Sequence, residues 1–200
     1  MTSAIARYRY VLGVVILMVA TGCRPHAGSE PVPVVNLLHE LDRAEKRPPD
    51  GFALASHTTG GRARPSLAAP VPSRVTWALP LPRHGVFRAF LAVGGVARTP
   101  TAVRFRIGVS DHRIYEAIAA RTVQAGRPGW LELASDLSAY AGFKWSLFYP
   151  PDRITWHVVL AADPVDGGPA LAVWGSPEII TDHRSAREYI TRRRQLRHES

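Results

Sequence analysis

The sequence predicts a mainly β protein, an antiparallel sandwich, and three observations carry that expectation. From Ser73 onward apolar residues recur with a period of two, the pattern of strands that keep one face in a core. The runs are short and are separated by Gly, Pro, Asp and Ser clusters such as PVDGGP, residues that supply turn geometry. The chain has one cysteine, Cys23, so no internal disulfide can form and the domain must be held by packing.

In chain order, MTSAIARYRY carries Arg7 and Arg9 and no acid, and leads into VLGVVILMVATG, 12 uncharged residues before Cys23. A basic start, a short apolar core and small residues at a cut site are the order of a secretory signal peptide over residues 1–22. Crossing the hydrocarbon takes about 20 apolar residues, and Arg24, Pro25 and His26 stop this run short. Residues 23–34 hold Pro25, Pro31 and Pro33 without an apolar period, and read as an extended tether. In VVNLLHELDRAEKRPP, Leu37, Leu38, Leu41 and Ala44 fall at helical spacing, Asn36 can cap the start and Pro48 and Pro49 mark the stop. A short helix or an opening strand is expected there. The stretch Asp50–Pro72 is rich in Gly, Ala, Pro, Ser and Thr and reads as irregular.

The strand candidates follow. In RVTWALPL, Val75, Trp77, Leu79 and Leu81 point one way, and Pro80 and Pro82 indicate an edge position or the strand's end. In AVRFRIGV, Val103, Phe105, Ile107 and Val109 face inward while Arg104 and Arg106 face water. VFRAFLAVGG, RIYEAIAARTV, WLELASDL, FKWSLFYPP, ITWHVVLAA and ALAVWGSPEII complete eight runs, placing the sandwich over residues 35–181. Residues 182–200 carry six Arg against Asp182, Glu188 and Glu199, and read either as a basic helix over the sandwich or as a basic tail.

Two resemblances add to this reading. Ala20-Thr21-Gly22-Cys23 resembles the bacterial lipobox, although Ala20 stands where Leu is commonest. It implies a lipoprotein acylated on Cys23, anchored in the cell envelope. Arg24 in place of the Asp that marks inner-membrane retention in many enterobacteria directs the expectation to the outer membrane, on its periplasmic or surface side. GVSDHRIYEAI, Trp130, DLSAYAG (136–142) and VWGSP (173–177) together resemble a galactose-binding-like, jelly-roll β-sandwich of the kind that accompanies bacterial sulfatases and carbohydrate-active proteins, over residues 33–180. As chemistry, DLSAYAG suits a tight turn, with Tyr140 plugging the sandwich end, and Trp174 can cover the core's open edge.

Catalytic and metal motifs do not emerge. No two of the eight histidines lie within five residues of each other, and GxSxG and phosphate-loop patterns are absent. Asp111, Glu116, Glu132, Asp136, Asp152, Asp163 and Asp166 offer carboxylates, but their positions in turns and on outer faces do not mark an acid–base pair. Asp163 and Asp166, in AADPVDGGP, are candidates for a structural Ca²⁺. For sugars, which need a ring beside polar partners, Trp156 with His157 or Tyr115 with Asp111 and His112 are the candidates. The second group, at a turn, is preferred. The formal charge of +9 on an exported protein points to anionic lipid or acidic polysaccharide and away from nucleic acid. The expected function is a membrane-tethered, non-catalytic module that binds a glycan or docks an envelope protein or partner enzyme. A structural lipoprotein contacting anionic lipid and a hydrolase with a loop-borne site are the alternatives.

Overall fold

Alternating side chains need two surfaces, and this chain supplies them by stacking one sheet on another. A computed structural model describes residues 30–94, 101–111, 114–141, 156–166 and 168–198. One sheet, A, contains β1 (Val32–Asn36), β3 (Ala53–Thr59), β4 (Arg62–Pro70), β6 (Val86–Gly94), β9 (Leu131–Asp136) and β11 (Leu171–Thr181). Its order is β3-β4-β11-β6-β9, with β1 also paired to β11. Sheet B contains β2 (Glu45–Arg47), β5 (Ser73–Leu79), β7 (Ala102–Ser110), β8 (Tyr115–Gln124) and β10 (Trp156–Pro164), in the order β2-β5-β10-β7-β8. All the pairings are antiparallel. One α-helix among the described residues, α1 (His183–His198), ends them, and the jelly-roll sandwich expected from the sequence is the architecture observed.

The core lies between the sheets. Val75, Trp77 and Leu79 from β5, Val103, Phe105, Ile107 and Val109 from β7, and Val158, Leu160 and Ala162 from β10 face Phe87, Ala89 and Leu91 of β6 and Ala172 and Trp174 of β11. The inward set on β7 is the one the alternation predicts. β5 stops at Leu79, before Pro80, as the prolines require.

Trp174 corrects an expectation. It does not cover an open edge: it is 2% exposed and meets Phe105 of the opposite sheet edge-on, with ring centroids 4.9 Å apart. The chain around it is central because β11 pairs with three strands. The neighbouring motif residues pack on the outer side of sheet A. Trp130 donates its indole N–H to the carbonyl oxygen of Arg62 at 2.8 Å. A Cβ on Gly175 would come within 2.8 Å of the Trp130 ring and 3.2 Å of Arg64 Cδ, so glycine is what lets the ring lie down there. The Arg64 guanidinium stacks over Phe90, 3.4 Å from the centroid, and burial lowers its pKa from the usual arginine value.

Two other expectations change, and one alternative is decided. Asp50–Pro72 is not irregular but forms the β3–β4 hairpin, turning at Gly60 and Gly61, both with positive φ. β3 lies on the sheet's edge and is exposed along most of its length, so it needs no apolar alternation, while β4 buries Ser66–Ala69 on both faces, Leu67 among small residues. Of the short helix or opening strand expected here, the strand forms, as β1 ending at Asn36, and the helical spacing at Leu37–Ala44 yields no α-helix. The chain leaves β1, turns with Asn36 Oδ1 accepting the Leu38 N–H at 3.0 Å, and makes only a 3₁₀ turn at Leu41–Arg43 before β2. The apolar residues are buried as a cap on the sandwich. β1 also draws Val32, Pro33 and Val34 out of the stretch read as tether. FKWSLFYPP lies outside the described residues.

The basic C-terminal stretch is a helix. Asp182 caps it, its Oδ1 accepting the N–H groups of Arg184 and Ser185 at 2.9 Å each, and these bonds lower its carboxyl pKa. Ala186 and Tyr189 are buried, and Arg193 bridges to Glu40. Asp182→Ala is expected to cost about 1 kcal/mol, read as a lower urea midpoint at unchanged slope. Asn at this position restores most of the loss.

Candidate functional site

Antiparallel register decides which side chains meet on the outer face of sheet B. Arg47 of β2 lies opposite Arg74 of β5, Arg74 opposite Ala161 of β10, and Ala161 opposite Arg106 of β7. One cross-strand row therefore presents three arginines around a small apolar residue. In the next row, Thr76, Val159 and Gly108 lie side by side. Above this floor is a cleft of about 380 Å³, walled by Arg47 and Pro48 on one side and Tyr115 on the other.

Tyr115 opens β8 opposite Ser110, and its ring reaches back over Gly108. A Cβ on Gly108 would be 2.3 Å from Tyr115 Cε2 and 2.7 Å from the Glu116 carbonyl oxygen. A glycine in a strand often marks such a close approach, and the β7–β8 register shifts at this position. The Arg74 guanidinium stands 5.1 Å from the Tyr115 ring centroid, within cation–π range. Tyr115 is 37% exposed, so one side of the ring is held and the other is available.

The cleft's charges are partly neutralised. Asp163 Oδ2 accepts from Arg106 Nε and Nη2 at 3.0 and 2.6 Å, and Glu45 Oε1 accepts from Arg47 Nε and Nη2 at 2.8 and 2.6 Å. Among the described residues Arg74 has no carboxylate partner.

Of the residues singled out from sequence, Tyr115 is in this cleft. Asp111 shapes it from outside: its Oδ1 accepts the Ile114 N–H at 2.8 Å, closing the β7–β8 turn that delivers Tyr115. His112 and Cys23 lie outside the described residues. Trp156 and His157 do not form a shared platform, because adjacent strand residues face opposite ways. Trp156 packs against the core, edge-on to Tyr140 at 5.4 Å, while His157 is on the outer face. Tyr140 closes that end of the sandwich as DLSAYAG suggests, with Asp136 Oδ1 accepting the Ser138 N–H at 2.8 Å. Burial, with Glu116 alongside, pushes the Tyr140 hydroxyl up to about 12. Asp163 contributes to the cleft through Arg106, and Asp166 lies in the turn beyond β10. Among the described residues no three His, Cys, Asp or Glu side chains are grouped closely enough to hold a metal ion.

Sequence reasoning missed Arg47 and Arg74. The outward positions of Arg74 and Arg106 are legible in RVTWALPL and AVRFRIGV, but only register brings them into one row.

No family model matches this chain, and no curated protein does. Solved structures similar to it include carbohydrate-binding modules. A xylan-binding domain of family 22 is 15% identical with a TM-score of 0.46, covering 79% of this chain and 97% of that one. The C-terminal family 22 module of Clostridium thermocellum Xyn10B is 14% identical with a TM-score of 0.46, over 80% and 97%. The CBM51-2 and INT domains of Clostridium perfringens ZmpB are 12% identical with a TM-score of 0.44, over 78% of this chain and 29% of that one, so this chain spans under a third of their length. Likeness at this distance transfers no ligand.

Proposed function

We propose that this protein is a non-catalytic glycan-binding module held to the cell envelope by lipid on Cys23. The observation that carries the glycan reading is the cleft of sheet B, where a half-exposed tyrosine ring stands over an apolar floor among polar forks. A sugar ring presents C–H groups to an aromatic face and hydroxyls to its rim, and the cleft offers a counterpart to each: Tyr115 with Ala161 for the former, Arg106, Asp163 and Ser73 for the latter. An array of glycans probed with the full chain in detergent should give signals that Tyr115→Ala reduces tenfold or more, on the order of the energy of a buried aromatic anchor. An empty array, or signals indifferent to Tyr115, rejects the reading. The anchor is tested separately: Cys23→Ser should abolish metabolic lipid labelling, and labelling that persists rejects lipidation at this residue.

A second reading draws on α1, whose Arg187 and Arg194 are exposed: the helix would rest on anionic headgroups. Arg187→Gln with Arg194→Gln should then weaken binding to phosphatidylglycerol vesicles, and unchanged vesicle binding rejects it.

A further inference from the structure

We infer that the cleft selects anionic sugars, with Arg74 as the residue that receives the ligand's carboxylate or sulfate ester. This rests on the glycan reading above and adds the chemical class. Three guanidinium groups in one cross-strand row are unfavourable by themselves, because like charges on facing strands repel. Four arginines stand on this face, since Arg104, exposed and opposite Asp163 on β10, joins Arg47, Arg74 and Arg106. Glu45 and Asp163 answer two of them. A fold that only needed to neutralise this row has neutralised its two flanks and left the centre without a carboxylate among the described residues.

Arg74 is also the best placed of the three. It lies between Arg47 and Ala161 in register, lines the cleft, and is steered by the Tyr115 ring 5.1 Å from its Cζ. Guanidinium is planar and presents paired N–H donors that match a carboxylate or sulfate oxygen pair. Its hydration is weak enough to be given up on binding, whereas an ammonium would hold its water more tightly. A sugar packed on Tyr115 thus has a cationic fork within reach of an acidic substituent. The pairs Arg47–Glu45 and Arg106–Asp163 keep the row from being a diffuse positive field, so recognition is local: one anionic group at one place.

The test is direct titration of the full chain in detergent with a short galacturonate oligomer, a sulfated disaccharide, and the galacturonate oligomer after reduction of its carboxyls to neutral hydroxymethyl groups. Binding of either anionic probe, with the reduced oligomer at least tenfold weaker, supports the inference and tells carboxylate from sulfate ester. Arg74→Ala should reduce the affinity for the anionic probe by about tenfold to a hundredfold, the size of a charge-assisted hydrogen bond. It should reduce the reduced oligomer's affinity by a clearly smaller factor, because the neutral oligomer makes no ion pair with the fork. Arg74→Lys, which keeps the charge and loses the fork, should recover only part of the loss. Arg187→Gln on α1 should leave the anionic probe's affinity unchanged, since it stands on another surface. Equal binding of the charged and reduced oligomers, or an Arg74→Ala variant with full affinity for the anionic probe, overturns the inference while the glycan reading stands. Loss on Arg187→Gln equal to that on Arg74→Ala overturns it in favour of non-specific attraction. Binding of none of the three probes overturns the inference, and the array decides the glycan reading independently.

Discussion

Trp174→Ala is expected to be strongly destabilising, costing about 3–5 kcal/mol. The side chain is 2% exposed and lies in a row with Leu67 and Leu91, both fully buried, so truncation removes the middle of sheet A's inner face. It also removes the edge-on contact to Phe105 at 4.9 Å, a direct link between the sheets. The cavity would be enclosed by strands on both sides, which cannot collapse without breaking register. For a domain of this size the thermal midpoint should fall by about 6–20 °C, with a matching drop in the urea midpoint. Trp174→Phe keeps a ring facing Phe105 and should lose less than half as much. A midpoint for Trp174→Ala within about 2 °C of the parent would mean that the two sheets are not joined there.

That prediction could not be made from the sequence, and the reason is physical. A period of two identifies the inward residues of a strand but not the strand's rank in its sheet. Trp174 reads as terminal because its strand comes last in the chain. It is central because β11 is inserted between β4 and β6 and also accepts β1. β3 failed to show itself for the converse reason: an edge strand with neither face in the core has no hydrophobic alternation to display. The long strands β5, β7, β10 and β11 were legible since each keeps one face buried. The Leu37–Ala44 segment shows the limit of helical spacing, as four apolar residues over two turns serve equally well to cap a sandwich through a 3₁₀ turn.

The site was legible in proportion to how local its determinants are. Asp111 and Tyr115 flank one turn, and the search for a ring beside polar partners singles them out. Arg47, Arg74 and Arg106 come from three strands far apart in sequence and meet through hydrogen-bond register alone. Gly108 was a readable signal that went unused: a glycine in a strand otherwise alternating large apolar and charged residues marks a place where something must come close.

Gly108 is therefore where the fold and the site can be tested together. Gly108→Ala places a methyl group 2.3 Å from Tyr115 Cε2, a side-chain atom that can move, and 2.7 Å from the Glu116 carbonyl oxygen, which belongs to the paired strand. The ring must swing out and the β7–β8 ladder must shift. The expected cost is about 1–3 kcal/mol, typical of an overfilled site, together with loss of glycan binding equal to that of Tyr115→Ala. The two contributions separate in a double mutant. Gly108→Ala with Tyr115→Ala relieves the ring clash but not the backbone one, so part of the stability should return while binding falls no further than in either single variant. If Gly108→Ala kept full glycan affinity, the ring would not need its place over residue 108, and the cleft's aromatic wall would have to lie elsewhere. If stability did not recover at all in the double mutant, the strain would lie wholly in the β7–β8 backbone. Tyr115 would then be a passenger on the hairpin, with no packing of its own against sheet B.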